Sequence, residues 1–298
     1  MKKVLMSCLM LMSILTVQAQ QKITPAMKKG QVKTYSVTSV TKIPGQKDIN
    51  IKLDQTFTVK SVKKEGCVID IAYSNSTSDA TPEDVVGQLL SGTMNLLSDQ
   101  NITVATDKDG KPVSIANYTE LRKQLDAKSE ELANMFMEKV PALSQVMSKE
   151  KLKETMMKSI TEENILNSLQ GSTSVLALNG KTVATGAAEE YVNDKGIKMR
   201  RLYFVNPSDI TTNSAINMTQ DELKTFIIAQ VEQILPEQAS MIKQNIDMVM
   251  KSGMMKIDMK ETAIYKMAND NWVNSLTVES TYDMLGQKTI TNTTIESK

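Results

Sequence analysis

The chain reads as an α+β protein: a curved, half-barrel-like antiparallel sheet packed against helical hairpins. Three observations carry that reading. Several runs alternate apolar and polar residues with a period of two, the mark of strands with one face buried. Two blocks repeat apolar residues at helical spacing, and each is interrupted by a proline. The blocks follow one another as strands, helices, strands, helices, strands, an order suited to an antiparallel sheet with segregated helices.

In chain order, residues 20–31 are polar, contain Pro25 and Gly30, and read as a loose lead-in. Val32–Val40 is rich in Val, Thr and Tyr. Ile49–Val59 sets Ile49, Ile51, Leu53, Phe57 and Val59 on one face, and Cys67, Ile69, Ile71 and Tyr73 alternate in the same way. Turn chemistry lies between these runs, which predicts a meander. Pro82–Leu97 has helix-compatible spacing weakened by two glycines. Asp107-Lys108-Asp109-Gly110 joins Asn101–Thr106 to Lys111–Ile115 as a hairpin; it lacks the third oxygen ligand and the later Glu of a calcium loop.

A helix is predicted from Asn117, a candidate N-cap, through Leu121, Leu125, Leu132, Met135 and Phe136 to Pro141. Helical pieces at 143–147, 150–160 and 162–169 stop at Gly171. Asn179-Gly180 reads as a two-residue turn between strands Val175–Leu178 and Lys181–Thr185. Strands Glu189–Val192, Ile197–Val205 and Ile210–Met218 follow. Thr219 and Glu222 form a capping box for a helix through Leu223, Phe226, Ile227, Val231 and Ile234, interrupted by Pro236 and resumed to Gly253. Met254–Met267, Trp272–Tyr282 and Lys288–Ile295 close the chain, the last so rich in Thr and Asn that it suits a sheet edge.

The first nineteen residues form a different kind of segment. Met1-Lys2-Lys3 is a short positive start, Val4 to Val17 is almost wholly apolar, and Val17-Gln18-Ala19 fits a cleavage site between Ala19 and Gln20. This is the pattern of a secretory signal peptide, which predicts a periplasmic or secreted protein. The apolar stretch falls short of the roughly 20 residues of a membrane span, so no integral span is expected. Leu5-Met6-Ser7-Cys8 has a lipobox-like look, but the apolar run continues past it. The remaining residues, 20–298, are expected to form one α+β domain or two packed halves at about 20–170 and 171–298. The halves are suggested by a short echo, in which Glu120-Leu121 leads to Val140-Pro141 and Glu222-Leu223 to Leu235-Pro236.

Chemistry is constrained by what the chain lacks. It has no histidine, which removes Ser-His-Asp triads, Cys-His pairs and His-ligated zinc; no enzyme, cofactor or metal site is expected. Beyond residue 19 the chain carries 33 basic and 34 acidic residues, a balance that argues against a nucleic-acid partner. Cys67 is the one cysteine left after cleavage and reads as a structural thiol. Seventeen of the 21 methionines also remain, against four Phe and one Trp in the whole chain. They serve either as ordinary core filling or as a deformable wall for a flexible apolar ligand. Gln55, Arg201 and Glu261 interrupt apolar strand faces, where an unpaired charge is costly. With Met255 and Met259 they are the candidate ligand-binding residues. Arg201 and Glu261 either pair or meet a ligand head group.

The meander, paired helices and returning Thr-rich strands of an exported chain resemble the periplasmic lipoprotein-carrier group. The resemblance implies a half-open barrel, lined by apolar residues and plugged by helices, that carries acyl chains. Asn101–Leu121, with its Thr-x-Asp-Lys-x-Gly-Lys turn and Asn-Tyr-Thr-Glu-Leu helix start, is also similar to segments of many uncharacterised secreted bacterial proteins. The expected function is a non-enzymatic exported protein that binds an apolar or amphipathic, lipid-like ligand between sheet and helices. The alternative is an envelope protein–protein assembly module, motivated by Lys288–Ile295 as an edge.

Overall fold

The computed structural model describes residues 20–81, 92, 98, 100–139, 147–193, 195–234, 236–251, 257–284 and 287–298. Among them, eleven strands form one antiparallel sheet that is curved and not closed into a barrel. The chain enters its middle at β2 (Val32–Lys42). It moves outward through β3 (Ile49–Lys63), β4 (Gly66–Ser78) and β5 (Asn101–Thr106) to an edge at β6 (Pro112–Ile115). It then runs through helices α1 (Tyr118–Lys139), α2 (Lys149–Ser159) and α3 (Glu162–Gln170). The sheet resumes at its opposite edge with β8 (Ala188–Val192), followed inward by β9 (Lys198–Val205) and β10 (Ile210–Ile216). After helices α4 (Gln220–Ile234) and α5 (Pro236–Lys251) come β11 (Ile257–Met267), β12 (Val273–Met284) and β13 (Gln287–Ser297). β13 pairs with β2, so the first and last long strands lie side by side. A separate two-stranded pair joins β1 (Gln21–Lys22) to β7 (Thr182–Val183).

Curvature follows from strand length and from defects in pairing. β3 is fifteen residues long, and a strand of that length coils rather than staying flat. Its ladder with β4 shifts register at Lys52/Asp54 and Val59/Ser61, and bulges of this kind bend a strand. Gly66 closes the turn between β3 and β4, where a Cβ would stand 1.9 Å from the Thr106 carbonyl oxygen, so only glycine fits.

The inner face of β3–β5 is closed by the chain itself. Leu121, Leu125, Ala133 and Phe136 of α1 and Leu169 of α3 pack into one cluster with Phe57, Ile69, Ile71, Ile102 and Val104. Tyr35 lies edge-on to Phe57, which in turn meets Trp272, and the Tyr35 hydroxyl donates to the Val273 carbonyl at 2.8 Å. Into the same cluster runs the segment from Ser172 to Asn179, with Val175–Leu178 no more than 1% exposed.

That segment corrects the expected strand at Val175–Leu178. Its backbone is satisfied by successive turns, Ala177 N–H to the Ser174 carbonyl, Asn179 to Leu176 and Lys181 to Leu178. All four apolar residues are buried, with no outer face to alternate. The lead-in is corrected too: β1 pairs with β7, and Ile23 is wholly buried. Lys288–Ile295 is a central strand rather than an edge. The actual β6 edge is capped by α3, where Glu162 accepts from Ile115 N–H at 2.8 Å and Gln170 donates to the Pro112 carbonyl.

Local signals held elsewhere. Thr219 and Glu222 form the capping box reciprocally, at 2.9 and 3.2 Å. Asn117 serves β5 instead of capping α1: its side chain accepts from Thr103 N–H and donates to the Asn101 carbonyl. The expected helices at Pro82–Leu97 and Leu143–Met147 fall on residues outside the described ones, apart from isolated positions. Among the described residues, no helix is long and apolar enough to cross a membrane.

Candidate functional site

The pairing register lays side chains in rows across the inner face, because facing residues on neighbouring strands share a face and the next row is two residues away. One row runs Glu189, Arg201, Ser214, Glu261, Ser280, Thr291 and Thr41 from β8 to β2. The adjoining row holds Tyr203, Thr212, Ala263, Val278, Thr293 and Ser39. Hydroxyl pairs tie the β13–β2 seam, Thr41 to Thr291 and Ser39 to Thr293, each at 3.2 Å. On the other side lie Tyr191 and Met199, then Met259 and Tyr282. The sheet therefore carries a polar band with a mixed row on one side and, over β8–β12, an apolar and aromatic row on the other.

Arg201 anchors the band and is fully buried. It donates to the Glu189 carboxylate at 2.9 Å and to the Ser172 hydroxyl at 3.1 Å, and its guanidinium stacks 4.3 Å from the Tyr191 ring centroid. Lys181 also pairs with Glu189, so two cations converge on one carboxylate. Burial pushes the Glu189 carboxyl up, but Lys181 and Arg201 override this and hold it below its ordinary value. Burial first, and Arg201 second, bring the Lys181 ammonium down to about 8. Burial raises the Tyr203 and Tyr265 phenols far above their usual range. Tyr265 donates to the Ser172 carbonyl at 2.9 Å. The buried segment is thus fastened to the sheet at Ser172 by Arg201 and Tyr265, and at Lys181 by Glu189. Three buried polar atoms here, Arg201 Nε, Thr212 Oγ1 and Ser214 Oγ, have no hydrogen-bond partner in the structure.

The five candidate residues separate. Arg201 and Glu261 do not pair. Ser214 stands between them in the row, Arg201 takes Glu189, and half-buried Glu261 accepts from the Tyr191 hydroxyl at 3.2 Å. Gln55 lies on β3, six strands from Arg201 and four from Glu261, and donates to the Tyr73 hydroxyl at 3.1 Å, a satisfied core amide. Met259 is buried with Ile197 and Met199. Met255 and Ala19 lie outside the described residues; Gln20 is exposed. Glu189, Lys181, Tyr191 and Tyr203 were not singled out from the sequence. The signal was there for two of them, since Glu189 and Tyr191 alternate with Glu190 and Val192. Cys67 is half-buried, and burial pushes its thiol up. In the Asp107–Gly110 turn, the Asp107 carboxylate accepts from Asp109 and Lys111 N–H. Among the described residues no cluster of His, Cys, Asp or Glu is arranged to hold a metal ion.

The apolar band beneath α4 is packed differently from the rest. Among the described residues, its cluster has three fully buried members, Ile197, Met199 and Met259; Tyr191, Ile216, Met218, Phe226 and Tyr282 are only partly buried against them. α4 and α5 are tied to each other by Lys224–Asp247 and Lys243–Glu232, and α4 to the sheet by Lys198–Glu222.

No family model matches the sequence, and no curated protein matches it. Three solved structures superpose on most of the chain. Lipovitellin, in a structure concerned with its lipid–protein interactions, is 7% identical, with 91% of this chain and 25% of that one covered at a TM-score of 0.39. The S-type phycobiliprotein lyase CPES of Guillardia theta is 6% identical, with 89% and 86% covered at 0.22. An AttH-like protein of Nitrosomonas europaea is 7% identical, with 90% and 50% covered at 0.18. This chain thus spans a quarter of the lipovitellin chain, and TM-scores this low assign it to no fold family.

Proposed function

We propose that the protein is an exported, non-enzymatic binder of an apolar or amphipathic ligand, held on the inner face between the sheet and the α4–α5 hairpin. The observation that carries this reading is the incomplete burial of Tyr191, Ile216, Met218, Phe226 and Tyr282 beside a polar row. Pockets for small apolar molecules are lined in this way, largely by apolar and aromatic groups with a few polar ones. The flexible side chains of Met199, Met218 and Met259 suit a guest of variable shape. Among the described residues of the β3–β6 half, Val175–Leu178 occupy the corresponding space within the main cluster. The assembly-module alternative loses its motive, since Lys288–Ile295 lies in the sheet centre.

Native mass spectrometry of protein purified from its own host tests the reading: a retained lipid-sized mass is expected. Replacing Ile216 by Trp fills the band and should abolish binding of the fluorescent apolar probe 1-N-phenylnaphthylamine. Repeated absence of both the retained mass and probe binding in the wild type overturns the reading.

A further inference from the structure

We infer that the guest's head group is uncharged and hydroxylated, as in a long-chain monoacylglycerol, and that it lies on the polar row at Glu261, Ser280 and Thr291. The inference rests on the binding site proposed above and names what that site selects. The polar row adjoins the apolar band on the same strands. Glu261 is two residues from Met259 on β11, and Ser280 two from Tyr282 on β12, all on the inner face. An amphipath with its tail along Met259 and Tyr282 therefore brings its polar end to Glu261, Ser280 and Thr291. All three are partly exposed, in contrast to fully buried Arg201 and Thr212.

Charge decides the class of head group. Among the described residues, the two cations at the buried end of the row, Arg201 and Lys181, are both paired with Glu189. Glu261 has the Tyr191 hydroxyl against it and forms no ion pair with either. An anionic head group at Glu261 would meet this carboxylate, and among the described residues no cation is paired with Glu261 to offset it; like charges brought together are disfavoured. Lys195 sits exposed over the Tyr282 ring at 5.4 Å, one row away from Glu261 and on the side proposed for the tail. Hydroxyl groups of a glycerol ester both donate and accept. They match a carboxylate acceptor flanked by Ser280 and Thr291 hydroxyls, the mixed donor and acceptor set that a polyol satisfies.

The test is displacement of 1-N-phenylnaphthylamine from the full chain by 1-monooleoylglycerol and by oleate at about pH 8. In the wild type, 1-monooleoylglycerol should displace the probe at a concentration about tenfold lower than oleate does. Glu261→Gln keeps an acceptor for Tyr191 and removes the charge, and should bring the two within about threefold by strengthening oleate. Ser280→Ala should weaken 1-monooleoylglycerol about threefold relative to oleate, and it serves if Glu261→Gln fails to fold. Oleate equal to or tighter than 1-monooleoylglycerol in the wild type, or an unchanged ratio in Glu261→Gln, overturns the head-group assignment while leaving the binding site standing. A wild-type protein that binds neither the probe nor either lipid removes both.

Discussion

The two ends of the sheet solve the same problem in opposite ways. At the β3–β6 end, α1, α3 and the 172–179 segment seal the inner face with their own side chains. At the β8–β11 end the same apolar cluster takes in Tyr203, Ile210, Ala263 and Tyr265. The row beyond the polar band is different: there Phe226 of α4 packs on a small cluster with three buried members among the described residues. The first end is built for rigidity, because a close-packed apolar interior leaves no slack. The row beyond the band has apolar surface in reserve. The polar cluster of Arg201, Glu189, Lys181 and Ser172 is the boundary, fastening the filler segment so that it stays in the sealed end.

The sharpest way to break that comparison is to remove the boundary. Arg201→Ala strands buried Ser172 and alters the ion pairing of Glu189, and should cost about 3–5 kcal/mol in urea unfolding; a loss under about 1 kcal/mol would show that the cluster fastens nothing. Leu178→Ala in the sealed end should cost about 2–5 kcal/mol by the same measurement.

Lys181 sharpens the boundary by its pH dependence. Its pKa is about 8 in the fold, against an ordinary 10.5. Between these values the unfolded chain binds more protons, so the contribution of Lys181 to stability rises with pH across that window and is least below 8. Relative to Lys181→Met, the wild type should gain about 1–2 kcal/mol between about pH 7.5 and 9.5, by urea unfolding at each pH. Equal gains in both proteins would place the ammonium in solvent.

The smallest effect is expected at the open end. Half-buried Phe226 should cost about 1–2 kcal/mol as Phe226→Ala, less than a core phenylalanine. Amide hydrogen exchange in α4 should accelerate while α1 is unchanged. Exchange that accelerates equally in both helices would mean that the two ends open as one unit.

Much of the fold could be read from alternation alone. The faces of β3, β9 and β11 follow from period two, and the α4 start follows from Thr219 and Glu222. Pairing order could not be read. A strand rich in Thr looks like an edge, yet β13 lies centrally, with its inner-face hydroxyls against those of Ser39 and Thr41. A four-residue apolar run such as Val175–Leu178 fits strand and filler equally, because burial on all sides erases the period. Arg201 and Glu261 could be picked out as interruptions, but the partner of Arg201 depends on the β8–β9 register. That register is set by the 193–197 turn, where Asn193 accepts from Ile197 N–H, and by the segment that crosses from the far edge.

The position of β13 against β2 also dictates when the sheet can be finished. Tyr35 pairs with Ser297 and Lys42 with Ile290, contacts that span nearly the whole polypeptide and carry the slow closure of a very long loop. β13 must therefore emerge from the ribosome before the two flanks can be stitched together. Until then, each flank exposes an open strand margin to whatever chaperone accompanies the nascent chain.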